Sequence, residues 1–506
     1  MAFNNKPKKP TNLSTSQSMK TMKTMKTMNL RRRTSLAFIL LFTALLALLL
    51  LLLHYQHRGA TSAACGTCRV STTAALSWRS GDLRHAEFAW NRLPFTDNYQ
   101  SPPLRIAVFS RKWPVNGSPG GMERHALTLY TALARRRGHQ IHVFTSPPSI
   151  ETDQADQPGS PQIHFHEGLP GQWRYNLAWK QFQEENKKLA FDVIHSESVA
   201  LPHWLARDLP NLAVSWHGIA LESLQSTIYQ DLARRPNEPI STTFNASLYG
   251  VVPKVLKEIR FFKNYANHVA ISDSCGEMLR DVYQIPSKRV HVILNGVNEA
   301  EFEDTTKVLG MEFRLAHKVP LNASLVMGVA GRLVKDKGHP LLYQSFTSLL
   351  TKHPDVYLIV AGSGPWEQRY REMGERVVVL GSLHPSELKG FYNAIDVFVN
   401  PTLRPQGLDL TLMEAMMCGK PVLASRFPSI KGSVVVSDEF GFMFSPNVES
   451  LLEALLLVVG EGKERLQRMG KACAEYARSM FTAQKMALAY ERLFLCIKDE
   501  TFCHYS

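Results

Sequence analysis

One pattern occurs twice in this chain and constrains it more than any other: a short apolar strand, a glycine-bearing loop, then an amphipathic helix. LRIAVFS (104–110) runs into a loop with Pro114, Gly117, Pro119, Gly120 and Gly121. MERHALTLYTALARRR continues as a helix, ended by Gly138 ahead of a second strand, QIHVFTS. The pattern restarts at SLVMGVAGRL (324–333), followed by GHPLLYQSFTSLLTKHP and the strand VYLIVAGSG. Each repeat is a βαβ unit, and such units build parallel sheets covered by helices on both faces. Further strands are predicted at 162–166, 191–195, 212–216, 268–272 and 290–294, and in VVVLGSL, VFVNPT and PVLASR; 449–458 and 462–498 read as helical. The expected fold class is therefore α/β, with two doubly wound domains over 104–296 and 297–480 joined near Val297–Val308. Residues 481–506 form a C-terminal helix and tail. Ligands of open parallel sheets bind beyond the carboxyl ends of the strands, so two such edges face to face imply a deep central cleft.

The 506 residues are too many for one ordinary domain. The formal net charge of +14 suggests a nucleic-acid partner until its location is examined. Lys6, Lys8, Lys9, Lys20, Lys23, Lys26, Arg31, Arg32 and Arg33 all lie in the first 33 residues, among no acids, and the other 473 residues carry only +5. The excess is a tail rather than a face, so no nucleic-acid partner is expected. Directly after it, Leu36 to Leu53 is an apolar run interrupted only by Thr43. Eighteen helical residues span about 27 Å, enough for a thin bilayer and longer than the apolar core of most signal peptides. Residues 1–35 are accordingly expected to be a cytoplasmic tail, 36–53 a single transmembrane signal anchor, and 54–103 a luminal stem. That makes a single-pass type II protein of the Golgi membrane or, alternatively, the endoplasmic reticulum. Asn116, Asn245 and Asn322 fit the glycosylation pattern. Among the seven cysteines, Cys65 and Cys68 fall in the stem, and Cys275 and Cys418 in apolar helical contexts expected to be core.

The residues that carry chemistry cluster after strands. Arg332 and Lys337 stand between a strand and a helix start, where cations, backbone N–H groups and the helix field all favour an anion; a solvated helix start is the plain alternative. Gly120 and Gly121 let the backbone approach a ligand closely, or simply make a turn. Glu123 is either part of that site or a first-turn acid. No DxD pair follows a strand, so a metal site is not expected, and no dinucleotide fingerprint supports an oxidoreductase. Within LTLMEAMMCGK, Glu414 is a lone carboxylate on an apolar helix and needs a partner.

GGMERH, GRLVKDKG and LTLMEAMMCGKPVLAS, in that order over about residues 104–480, resemble the retaining GT-B glycosyltransferases of family 4. The resemblance implies two Rossmann-like domains, an acceptor held chiefly by the first and a UDP- or GDP-linked sugar by the second. The acceptor hydroxyl would belong to a glycan, a lipid or a small molecule. No cofactor is implied besides the donor. It further implies that Arg332 and Lys337 clamp the diphosphate with Gly120 and Gly121, and that Glu414 accepts from the ribose hydroxyls. His217, ending LAVSWHG, would lie near the donor sugar. Where the family carries a first glutamate, seven residues before the second, this chain has Gln406; Leu408 and Asp409 replace the usual Phe-Gly. Ser363 and Gly364 are further nucleotide candidates, and His195, Ser196 and Glu197 are candidates on the acceptor side. The implied enzyme is a metal-independent, retaining glycosyltransferase, with a hexosyl group as the transferred sugar. A non-catalytic sugar-binding or complex-organising protein is the alternative that Gln406 supports.

Overall fold

The computed structural model describes residues 78–95, 101–114, 120–148, 159–234, 239–240, 242–302 and 307–505. The tail, the anchor at 36–53, Cys65, Cys68 and Asn116 lie outside the described residues. Among the described residues, no helix is long and apolar enough to cross a membrane.

Two wholly parallel sheets organise the body. The first contains β1 (Arg105–Phe109), β2 (Gln140–Thr145), β3 (Gln162–Phe165), β4 (Val193–Glu197), β5 (Leu212–Trp216), β6 (Asn267–Ala270) and β7 (Val290–Val292), in spatial order β3-β2-β1-β4-β5-β6-β7. The second contains β8 (Leu325–Ala330), β9 (Val356–Ala361), β10 (Val377–Gly381), β11 (Val397–Asn400), β12 (Val422–Ser425) and β13 (Gly441–Phe444), ordered β10-β9-β8-β11-β12-β13. Both orders reverse beside their first strand, between β1 and β4 and between β8 and β11. That is where a doubly wound sheet opens a crevice. β1 and β9 are buried at every position, as helices on both faces require. The predicted strands are all present, and β13 is an addition to them.

The helices that matter for the cleft are α1 (Gly121–Ala134), α2 (Ala220–Leu232), α3 (His339–Leu350), α4 (Pro385–Ala394) and α5 (Leu410–Met417). The chain end departs from the simple two-domain reading. The helical stretches expected at 449–458 and 462–498 are α6 (Val448–Met480), which breaks its helical backbone at Gly462, and, after Thr482, α7 (Ala483–Lys498), so the second stretch is divided where one helix was expected. At the junction the chain recrosses beside the linker: the Val297 amide donates to the Phe481 carbonyl and the Ala483 amide to the Val297 carbonyl, each at 2.8 Å. Helix α7 then packs on the first domain, where Met486, Tyr490, Leu493 and Phe494 share a core with Leu129, Tyr130 and Ile106.

Part of the stretch expected as stem is body as well. Leu83 and Trp90 are fully buried in that same core. The buried Asn91 side chain donates to the Leu294 and Met480 carbonyls and accepts from the Leu294 amide at 2.7 Å. A flexible stem would leave these groups in water; here they close the chain crossing. Cys275 and Cys418 are buried free thiols, as expected of core residues, and Cys496 and Cys503 form a disulfide at the C-terminus.

Candidate functional site

A cavity of roughly 660 Å³ lies between the carboxyl edges of the two sheets. From the first domain it is lined by Gly120, Gly121, Glu123, Arg124 and His217. From the second come Arg332, Lys337, Ser363, Arg404, Asp409 and Glu414. Helix α1 begins there with Gly120 as its N-cap and no side-chain cap, so its first N–H groups face the space where an anion would sit. Glu123 is its first-turn acid.

Arg332 follows β8 and is 67% exposed at the cavity edge, approaching Asp336 at only 4.0 Å. Lys337 closes a short turn that Gly338 ends in a left-handed conformation (φ 75°) before α3. The buried His339 braces this turn, with one ring nitrogen 3.2 Å from the Arg332 carbonyl and the other 2.9 Å from the Tyr370 hydroxyl. Lys337 is not free: its ammonium donates to the carboxylate of Asp409, which also accepts from Asn400 at 3.1 Å. Burial opposes the Asp409 charge, but Lys337, Arg404 and Asn400 outweigh it and hold the carboxyl down at about 2.

Glu414 is fully buried on α5. One of its oxygens accepts from the Tyr392 hydroxyl at 2.7 Å; the other is 2.7 Å from the Arg124 guanidinium of the opposite domain. Lys420, six residues further along the chain, donates to the Asn393 carbonyl instead of to Glu414. Arg404 likewise crosses the cleft, bonding Glu222 of α2 at 2.6 Å.

Gln406 is not where the resemblance would put it. Its side chain is buried away from the cavity, donating to Gln225 of α2 at 2.7 Å, while its carbonyl accepts from Ser272. The loop that carries it is bound to the first domain at Glu222, Gln225 and Ser272, and at Asn295, which donates to the Leu408 carbonyl. Its neighbours Gly407, Leu408 and Asp409 reach the cavity in its place.

The acceptor-side candidates also move inward. His195 is fully buried in a chain of hydrogen bonds: Tyr490 hydroxyl to Ser215 hydroxyl (2.7 Å), Ser215 to His195 Nε2 (2.9 Å), and His195 Nδ1 to Tyr130 (2.6 Å). Tyr130 then donates to Glu197, whose other oxygen lies 2.5 Å from His217 Nε2. An Nδ1–H tautomer of His195 satisfies every link. Burial disfavours the Glu197 charge, but His217, His125 and His195 offset this and hold its carboxyl well below the usual range. Ser196 accepts from the Leu201 amide and donates to the Ser198 carbonyl, a local turn. These residues serve the site through His217, which alone of the group lines the cavity. Of the second-domain pair, Ser363 lines the cavity and accepts from Ser382 at 3.0 Å. Gly364 does not; its left-handed backbone passes under the Leu333 carbonyl.

His125, Glu197 and His217 offer ligand atoms within 4.8 Å of one another, a grouping of metal-binding type. Burial and the adjacent His217 push His125 down to about 3, so it is a neutral imidazole, and among the described residues neither of its ring nitrogens has a hydrogen-bond partner. Glu197 is already engaged by Tyr130 and His217, which suits a hydrogen-bonded brace for the His217 ring.

Sequence reasoning missed Arg124, Arg404 and Tyr392. Arg124 was within reach, since it sits in the quoted GGMERH, but only the helix phase aims it at the second domain. Nothing local marks Arg404 or Tyr392, whose partners lie 182 and 22 residues away.

Each half of the chain matches a family description: "Glycosyltransferase Family 4" over residues 119–301 and "Glycosyl transferases group 1" over 316–478. An uncharacterized glycosyltransferase of Methanocaldococcus jannaschii is 26% identical over 340 residues, covering 64% of this chain and 80% of that one. A D-inositol 3-phosphate glycosyltransferase of Corynebacterium glutamicum is 24% identical over 417 residues, covering 76% and 95%. Among solved structures, the fold is shared with a sucrose-phosphate synthase of Thermosynechococcus elongatus (TM-score 0.60, 19% identity, 78% of this chain and 98% of that one). It is also shared with HepE of Anabaena in complex with UDP-glucose (TM-score 0.55, 18% identity, 77% and 99%). With both halves matched and the two facing parallel sheets in place, the chain belongs to the GT-B superfamily of group 1 and family 4 glycosyltransferases, and is such an enzyme.

Proposed function

We propose that this glycosyltransferase moves a sugar, a hexose in our reading, from a UDP- or GDP-linked donor to a hydroxyl of a glycan, lipid or small-molecule acceptor. Transfer proceeds with retention at the anomeric carbon and without a metal. The observation that carries this reading is the convergence on one cleft of a helix N-terminus without a side-chain cap (Gly120, Gly121), two cations after β8 (Arg332, Lys337) and a buried carboxylate (Glu414). The departing diphosphate gains negative charge as the sugar leaves, and fixed cations and N–H groups stabilise that charge most in the transition state. Glu414 suits ribose because one carboxylate accepts from two vicinal hydroxyls. The apolar Leu383, Pro385 and Leu388 beside Ser363 and Ser382 offer a base a dry wall. His217, braced by Glu197, faces the sugar position. With no free carboxylate at the position of Gln406, attack occurs on the donor's own face, and the leaving phosphate takes the acceptor proton. The anchor at 36–53 would hold the body in the Golgi or endoplasmic reticulum lumen, an oxidising setting that suits the Cys496–Cys503 disulfide.

The test is donor turnover by the full chain over a panel of UDP- and GDP-sugars, with and without chelator, and the product anomer read by NMR. An inverted anomer, or activity abolished by chelation, would refute the mechanism. A second reading, a non-catalytic sugar-binding protein, is favoured by the withdrawal of Gln406 from the cavity and the commitment of Lys337 to Asp409. Nucleotide binding with neither transfer nor hydrolysis of any donor would select it.

A further inference from the structure

Among the described residues, four cationic side chains line the cleft: Arg124, Arg332, Lys337 and Arg404. Lys337 is tied to Asp409 and Arg404 to Glu222, carboxylates to which the proposed function assigns no part of the nucleotide. Arg124 differs. Its partner is Glu414, the carboxylate that the proposed function assigns to ribose, and the pair spans the two domains at 2.7 Å. Glu414 has no exposed surface and a bond from Tyr392 on one oxygen, and a carboxylate so buried needs a partner on the other. The guanidinium sits on the first turn of α1, beside Gly120 and Gly121, where the helix field already favours an anion.

We propose that Arg124 is a ligand of the donor diphosphate, held in reserve by Glu414 until a nucleoside arrives. This deepens the reading of the cleft as a nucleotide-sugar site and rests on it. Ribose hydroxyls donate to the outer Glu414 oxygen, and the released guanidinium turns from carboxylate to phosphate. Neither half of the exchange is favourable alone. A nucleoside without phosphates strands a partly buried guanidinium, and a diphosphate without ribose strands a buried carboxylate. Together they leave both charges compensated, so base-plus-ribose and diphosphate bind cooperatively, a coupling of two subsites through one ion pair. The arrangement also explains how a diphosphate is held where Lys337 is already committed.

The test is calorimetry on the full-length protein in detergent with five probes: UDP, GDP, ADP, uridine and inorganic pyrophosphate. For the wild type, UDP should bind far more tightly than either fragment. Arg124→Gln should weaken UDP about 100-fold while leaving uridine unchanged or slightly tighter, and Arg124→Lys should restore part of the loss. Glu414→Gln supplies the sign that a merely structural ion pair would not give: pyrophosphate should bind about tenfold more tightly than to the wild type, because Arg124 is no longer held. Pyrophosphate binding that is unchanged or weaker in a folded Glu414→Gln protein would overturn the assignment, as would an Arg124→Gln protein that keeps the wild-type UDP-to-uridine ratio. A wild type that binds none of UDP, GDP and ADP overturns instead the cleft's reading as a nucleotide site, and the assignment with it.

Discussion

The ammonium of Lys337 is bound by the carboxylate of Asp409, at the N-cap of the helix that carries Glu414. A cation placed for phosphate thus meets a fixed anion that the bound phosphate must tolerate. Asp409→Asn keeps the size and removes the charge. It should tighten UDP about tenfold by calorimetry, since one buried charge-assisted bond is worth roughly 1.5–3 kcal/mol and part of it is regained. Unchanged UDP affinity would mean that the phosphates lie away from Lys337.

Gly338 holds the turn that aims Lys337. Its φ is 75°, and a Cβ there would lie 1.7 Å from the Pro401 carbonyl oxygen. Gly338→Ala should therefore force the turn off the Pro401 loop, destabilising the protein by about 2–4 kcal/mol in urea unfolding and weakening UDP binding. A variant with wild-type stability would show that the two loops separate freely.

Helix α7 secures the first domain through Glu491, a fully buried carboxylate bonded to Arg136 at 2.7 Å and His139 at 2.8 Å, with Arg137 at 3.2 Å. Removing one member of a buried ionic group strands the others, at a cost of roughly 3–5 kcal/mol. Glu491→Ala should lower the urea midpoint accordingly, and truncation before Ala483 should prevent folding of the first domain, although its seven strands are intact. Soluble, cooperatively unfolding truncated protein would contradict this.

Acid should unfold the body through its histidines. Burial pushes His125, His268 and His291 down to about 3, and His142, His195 and His339 to about 4. The unfolded chain binds these protons near pH 6.5, so stability is full above that value and falls as pH drops toward 4. Asp409 and Glu197, depressed carboxylates, add losses only below about pH 4. The melting temperature should decline steadily from pH 7 to 4, and His291→Phe should flatten the slope in folded protein. A flat profile between pH 6.5 and 4.5 would rule this origin out.

The strands were legible because parallel sheets need apolar runs: LRIAVFS and VYLIVAGSG fit little else. The glycine turn and the two cations after β8 were legible because a strand, a tight loop and a helix start are neighbours in sequence. Residues 78–95 misled because their burial depends on remote partners; Asn91 looks like any loop residue until Leu294 and Met480 are placed around it. His195 and Glu197 ended a strand on the right edge, yet Tyr130 and Tyr490, from two helices far apart in the chain, draw them into the core.

By itself the sequence determined two doubly wound domains and a charged, glycine-lined edge on each, since backbone periodicity and local turns are set within a few residues. Only the tertiary structure decided the partners of those charges. Asp409 holds Lys337, Arg124 holds Glu414, and Gln406 turns to Gln225 rather than the cavity, because ion pairing and burial are settled by groups that meet across the cleft.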